Sequence, residues 1–324
     1  MEVDRKECSG GVRLALVIPC YNEEDVLDST MERLMDIFSE MRDSGMISTD
    51  SFILLCDDGS TDGTWNVIRR FHEHDPRVRG LRLAGNAGQQ NALIAGLEAV
   101  ADNCDAVVTL DADLQDDPGV LPEMLRHYCN GKDIVYGVRS SRSADSLMKR
   151  LSAAIFYKLQ TALGLRTVPQ HADYRLMSGM AAGMLLAYGE RNLFLRGIVA
   201  QLGLDYEVVK YERGERKHGE SKYPLSRMLG LAIDGITSFS ARPMRMIFLT
   251  GMVLLLISIF VTVYVLVSYF CGGTVSGWTS LMLSVWFLGS LVLMSIGTVG
   301  EYVGKIYMEV KHRPRYAVRD RLPE

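Results

Sequence analysis

Asp111 and Asp113 stand two residues apart, with Gln115 two residues further on, in the string DADLQDDP. Carboxylates at that spacing are hard oxygen donors of the kind that hold Mg²⁺ or Mn²⁺ while substrate phosphates and water complete the shell. The Gln115 side chain offers one more oxygen. A second acidic string, Asp57-Asp58-Gly59-Ser60-Thr61-Asp62-Gly63-Thr64, has two open readings, a ligand-binding turn or a helix N-cap and turn cluster. Asp62, Asp116 and Asp117 are read as caps and turns. Chemistry with so many like charges close together requires cations, because unscreened carboxylates repel and hold on to their protons.

The elements that must carry these residues are short apolar runs rich in β formers: Arg13–Pro19, Ser51–Cys56, Val78–Leu83, Ala106–Leu110 and Ile134–Val138. Helical patterns lie between them at Glu23–Met41, Asp62–His74, Gln89–Ala101 and Gly119–Tyr128. Strands alternating with helices predict right-handed β-α-β units and a mainly parallel α/β sheet. In such sheets ligands bind outside the carboxyl ends of the strands. The polar strings all follow directly on an apolar run, so they are expected on that one edge.

Composition narrows the function classes. The 324 residues carry a net charge of −4, which speaks against a nucleic-acid partner. No G-x-G-x-x-G follows the first strand, which speaks against a dinucleotide-dependent oxidoreductase. From Met246 to Gly300 there is no Asp, Glu, Lys or Arg. The runs at about 246–270 and 280–300, separated by Cys271-Gly-Gly-Thr-Val-Ser-Gly277, are expected to be two transmembrane helices. Arg242 and Arg245 before them, and Lys305, Lys311, Arg313 and Arg315 after, place both ends on the cytoplasmic side. Residues 223–244 have one apolar stripe at helical spacing, as an interfacial helix or a core-facing one would. The expected organisation is a cytoplasmic catalytic domain at 1–222, an amphipathic helix at 223–244, a membrane hairpin at 245–304 and a basic cytoplasmic tail at 305–324, in an integral protein of the plasma membrane.

Taken together, VIPCYNEE, DDGSTDGT, the Asn86-Ala87-Gly88 step and DADLQDDP resemble family 2 glycosyltransferases of the Rossmann-like GT-A fold. Gly137-Val138-Arg139, Asp173-Tyr174-Arg175 and Arg216-x-x-Gly219-Glu220-Ser221-Lys222-Tyr223 resemble its polyprenyl-phosphate branch, which includes bactoprenol glucosyltransferases and dolichol-phosphate mannose synthases. The resemblance implies that Pro19, Tyr21 and Glu23 line the nucleotide, and that Asp57 or Asp58 meets the base. It implies metal and diphosphate contacts at Asp111, Ala112, Asp113 and Gln115. Arg139, Arg216 and Lys222 match positions that hold donor diphosphate or lipid phosphate, with Arg150 and Ser221 added on the acceptor side. Asp173 matches an aspartate near the reaction centre, either a base or an orienting group.

The implied reaction is inverting transfer of a sugar, glucose first, from a nucleotide diphosphate sugar, UDP first, to undecaprenyl or dolichyl phosphate. Mannose or an N-acetylhexosamine are the alternatives. The implied partners are the bilayer, a separate flippase and other copies of the chain. A processive polysaccharide synthase is the rival, and the absence of any Arg-Trp pair speaks against it. A non-catalytic scaffold is the other rival, and the intact Asp111, Asp113, Arg139 and Lys222 speak against that.

Overall fold

The computed structural model describes residues 11–113, 115–139, 171–190, 195–212 and 277–322, together with Ile247, Val253 and Phe260. The chain divides into two compact units, one of Met1–Ala154, Arg166–Lys222 and Arg313–Glu324, the other of Ile155–Leu165 and Tyr223–His312.

In the first unit β1 (Leu14–Cys20), β2 (Phe52–Asp57), β3 (Val78–Leu83) and β4 (Ala106–Thr109) alternate with α1 (Glu24–Asp43), α2 (Thr64–His74) and α3 (Gln89–Val100). After β4 come α4 (Leu121–Cys129), β5 (Ile134–Arg139), β6 (His171–Ser178), α5 (Gly179–Ala187), α6 (Leu195–Gln201), β7 (Tyr206–Tyr211) and β8 (Val318–Arg321). The sheet runs β7-β5-β6-β4-β1-β2-β3-β8. Its pairs β1/β2, β1/β4, β2/β3 and β5/β7 are parallel; β6 is antiparallel to both β4 and β5, and β8 is antiparallel to β3. The result is a GT-A-like, mostly parallel α/β sheet with helices on its faces.

The sequence explains the layering. β1 and β2 are almost continuously apolar and buried, as strands covered on both faces must be. α1 buries Leu27, Thr30, Met31, Leu34, Phe38 and Met41, spaced three and four apart, against the sheet. α3 approaches more closely still: a Cβ on Gly96 would lie 2.4 Å from Val17 and 2.6 Å from the Cys56 sulfur. Only glycine lets the helix backbone sit that near β1 and β2.

In the second unit α7 (Trp278–Val310) is one helix of 33 residues. Ser284, Gly289, Ser295, Gly297, Thr298 and Gly300 interrupt its apolar positions, and Lys305 and Glu309 close it. Among the described residues no helix is long and apolar enough to cross a membrane. That finding corrects the expectation of a two-span integral membrane protein, which was drawn from the length and the uncharged, apolar composition of the two runs. Of the expected first span only Ile247, Val253 and Phe260 are described, and the expected interfacial helix at 223–244 lies outside the described residues.

Where the sequence reading has a basic tail, the structure has the edge strand β8. Ala84 N–H donates to Ala317 O at 2.8 Å and Leu322 N–H to Gly80 O at 2.9 Å. Arg315 donates to the carbonyls of Tyr188 and Glu190, and the Tyr316 hydroxyl donates to Glu98.

Candidate active site

The loops after β1 and β2 are built into each other. Asn22 adopts φ 54°, a left-handed conformation that asparagine tolerates. Its amide oxygen accepts the Thr61 N–H at 2.9 Å, while its own N–H donates to Ser60 Oγ at 3.0 Å. Glu23 N–H donates to Thr64 Oγ1 at 2.9 Å, and Glu24 Oε2 accepts from Gly63 N–H at 2.8 Å. Much of the string YNEE…DGSTDGT therefore serves to lock two loops into one ledge. Pro19 is the penultimate residue of β1, in register with Cys56, and Tyr21 is 43% exposed on the ledge.

Asp57 and Asp58 are both buried below it. Asp57 Oδ1 accepts the Ser60 N–H at 2.9 Å, and Arg82 Nε lies 3.2 Å from Oδ2. Asp58 accepts two backbone donors, Ala87 N–H at 2.7 Å and Gly88 N–H at 2.9 Å. Burial raises the Asp58 pKa, partly opposed by those two bonds. Both residues organise turns here, whatever else they meet when a ligand binds.

The acidic loop after β4 faces the start of β6. Thr109 pairs with Arg175, so continuing that antiparallel register sets Asp111 opposite Asp173. The Thr109 hydroxyl donates to the Asp173 carbonyl. Asp111 receives Gln89 Nε2 at 2.8 Å, and Asp113 Oδ1 receives the Gln115 N–H at 3.1 Å. The buried Ala112 has its carbonyl held by Thr30 Oγ1 at 2.7 Å, which ties the loop to α1. Gln115 is buried. Burial pushes the Asp111 pKa up to about 7, with Asp173, Asp116 and Asp113 adding to the rise and Arg139 opposing it. Those groups therefore share one local field.

Three guanidinium groups answer the carboxylates. Arg175, fully buried, donates to Asp173 Oδ1 at 2.6 Å. Arg196 meets both oxygens of Asp173, each at 3.2 Å, and is 45% exposed. Arg139 forks onto Asp116, Nε to Oδ1 at 2.9 Å and Nη2 to Oδ2 at 3.2 Å. The Tyr211 hydroxyl donates to Asp116 Oδ1 at 2.6 Å.

The structure thus brings Asp111, Asp113, Asp173 and Arg139 to the carboxyl edge of β4 and β5, beside Ala112 and Gln115. Arg150, Arg216, Ser221 and Lys222 lie outside the described residues. Asp116 is no surface cap: it is 1% exposed and holds a guanidinium. Arg196 and Tyr211 were missed, and nothing in their local sequence marks them; their roles come from pairing partners more than twenty residues away. Among the described residues no three His, Cys, Asp or Glu form a metal-binding group. Two carboxylates at 111 and 113 nevertheless fit a divalent ion that takes its remaining ligands from substrate and water. The excess of carboxylates around Asp111 is the field such an ion would neutralise.

Comparison with known proteins adds the family. The model of glycosyl transferase family 2 matches residues 15–185. The uncharacterized glycosyltransferase YkoT of Bacillus subtilis (strain 168) is 45% identical over 305 residues, 94% of this chain and 90% of that protein. The bactoprenol glucosyl transferase of Shigella phage SfV is 35% identical, over 95% of this chain and 99% of that one. Among solved structures, glucosyl-3-phosphoglycerate synthase from Mycobacterium tuberculosis in complex with Mn²⁺, UDP-glucose and phosphoglyceric acid is a distant likeness, with TM-score 0.46 and 19% identity over 72% of this chain and 80% of that one. With a family model that spans more than half of its length and relatives matched almost end to end, the chain belongs to glycosyl transferase family 2.

Proposed function

We propose that this glycosyltransferase moves a sugar, glucose in the first instance, from a UDP-sugar to a polyprenyl phosphate. The observation that carries the reading is the grouping of Asp111, Asp113 and Asp173 with Arg139 at one sheet edge, in a chain so similar to a protein named bactoprenol glucosyl transferase. The catalytic part is residues 1–222, completed by β8.

The anomeric carbon–oxygen bond to the nucleotide diphosphate breaks, and a bond from an acceptor phosphate oxygen to the same carbon forms with inversion. A divalent ion, Mg²⁺ or Mn²⁺, held by Asp111 and Asp113 with Gln115 near by, would supply Lewis-acid stabilisation to the departing diphosphate. Pro19, Tyr21 and Glu23 form the ledge for the nucleotide, with Asp57 or Asp58 beneath it for the base. Ala112 lines the donor side, where Arg216 and Lys222 add positive charge. An acceptor monophosphate has a second pKa of about 6 and is mostly a dianion at neutral pH, so it needs little help from a base. What it does need is a cation to bring it against the donor, and Arg139, with Arg150 and Ser221, suits that task. Asp173, already ion-paired with Arg175 and Arg196, is better placed to orient groups than to accept a proton.

The test is incubation of the purified chain with undecaprenyl phosphate in detergent, labelled UDP-glucose, and either Mg²⁺ or Mn²⁺. Organic-extractable labelled product is expected, with Asp113→Ala lowering its rate at least about a hundredfold, as loss of a key electrostatic group does. Water-soluble or high-molecular-weight product would overturn the reading.

A further inference from the structure

The contact between Arg139, Asp116 and Tyr211 lies beside Asp111 and carries an inference of its own, one that rests on the phosphate-binding role proposed for Arg139. Asp116 is buried, yet it is a carboxylate on the same loop as Asp111 and Asp113. A carboxylate so enclosed is tolerated only with charged or strongly donating partners. It has them in a specific geometry: the Nε and Nη2 edge of Arg139 lies along its two oxygens, and Tyr211 closes from the other element.

The backbone sets up this meeting. Arg139 and Tyr211 are register partners at the ends of the parallel strands β5 and β7. The Tyr211 ring packs edge-on to the buried Tyr174, with centroids 5.6 Å apart at 68°, which limits where its hydroxyl can go. Burial and the neighbouring Asp116 push the Tyr211 phenol well above its ordinary pKa, so it stays a donor. For Arg139, burial opposes the charge, while the hydrogen bond and charge of Asp116 more than offset it.

We propose that Asp116 and Tyr211 are positioning residues that clamp one edge of the Arg139 guanidinium and so present its remaining N–H groups to a substrate phosphate. A guanidinium carries about five N–H donors in a rigid plane, so fixing one edge fixes the direction of the other. The 31% exposure of the Arg139 side chain leaves that outer edge reachable. The ligand class is a phosphate monoester or diphosphate, and the acceptor phosphate is the one the proposed function assigns.

Two experiments on the full-length chain test this. In steady-state transfer, Asp116→Asn is expected to raise the KM for undecaprenyl phosphate about tenfold or more, the worth of a charge-assisted hydrogen bond, and to leave the KM for UDP-glucose within about twofold. In an Arg139→Met background the same Asp116→Asn change is expected to have no further effect on the acceptor KM, because its action runs through the missing guanidinium. Tyr211→Phe, which keeps the ring packing, gives the same pattern with a smaller factor and stands in if Asp116→Asn does not fold. Acceptor and donor KM values that both stay unchanged, or a factor that persists undiminished in the Arg139→Met background, overturn the proposal.

The second experiment needs no substrate. The ¹⁵N NMR signal of the Arg139 side-chain Nε–H, assigned by its loss in Arg139→Lys, is expected to be protected from solvent exchange. Asp116→Asn is expected to abolish that protection, and protection equal to the unsubstituted protein overturns the clamp. If the unsubstituted protein transfers no sugar to undecaprenyl phosphate, the proposed function fails while the NMR comparison still decides the clamp. If the donor KM rises in place of the acceptor KM, with coupling to Arg139 intact, the clamp stands and the acceptor assignment falls.

Discussion

Replacing Gly59 with alanine is expected to damage the ledge formed by the β1 and β2 loops far more than the addition of one methyl group suggests. Gly59 has φ +68° and follows directly on Asp57 and Asp58. A Cβ there would lie 2.5 Å from Gly85 C, 2.6 Å from Gly85 Cα and 2.8 Å from Asn86 N, all of them backbone atoms. The left-handed conformation alone costs a non-glycine residue about 1–2 kcal/mol. Forcing the β3 loop away adds about 1–3 kcal/mol, the usual range for overpacking, for a total of about 2–5 kcal/mol. Gly45 supplies the control, since it has φ +72° and nothing within 4 Å of its would-be Cβ. Gly45→Ala should therefore show the conformational part alone, about 1–2 kcal/mol. Hydrogen exchange of β2 and β3 peptides across a urea series measures both variants. If the proposed donor site is right, Gly59→Ala should also weaken binding of UDP, because the displaced loop carries the Ala87 and Gly88 N–H groups that hold Asp58. Equal destabilisation of the two variants, within about 0.5 kcal/mol, would refute the close-approach argument.

Other outcomes follow from pairs already described. Arg175→Gln should destabilise the first unit by about 3–5 kcal/mol in urea unfolding, because it strips a buried ion pair, whereas Arg196→Gln, half-exposed on the same carboxylate, should change it by about 1 kcal/mol or less. The hydrogen bond from Arg77, outweighing burial, lowers the Asp75 pKa, so the native state binds fewer protons there than the unfolded chain. That contribution is complete above the ordinary carboxylate pKa of about 3.9 and fades as pH falls through the lower native value. The Tm advantage over Asp75→Asn should accordingly be constant near neutrality and vanish in acid, and an advantage that grows on acidification would contradict the assignment. Deleting residues 313–324 should raise exchange of β3 amides by removing its β8 partner and the Leu322 side chain that packs over Gly80. Unaltered exchange would show that β8 stabilises nothing.

The early strands were legible because strands of a parallel sheet covered on both faces are largely apolar: β1, β2 and β4 stand out as nearly unbroken runs, while β3 alternates apolar residues with arginine. Val78–Leu83 was read residue for residue, and the limits of the four others differ by no more than one residue at either end. The polar strings after them marked the carboxyl edge for the same reason. β6 was not readable, since an antiparallel strand inserted between β4 and β5 is defined by its partners rather than by its composition. The uncharged stretch misled in the opposite way: lack of charge is a property of composition, and the described helices did not bear out the spans inferred from it.

What the sequence determined by itself is the order of β1–β5 and α1–α4 and the placing of the polar strings after those strands, the acidic pair at 111 and 113 among them, because periodicity and turn chemistry are local. Tertiary structure alone decided that Asp173 faces Asp111, that Arg196 and Arg175 share Asp173, and that Asp116 with Tyr211 grips Arg139. Those are encounters between side chains 23 to 95 residues apart, apart from the Arg175 pair, and they exist only once antiparallel β6 and parallel β7 have set their registers.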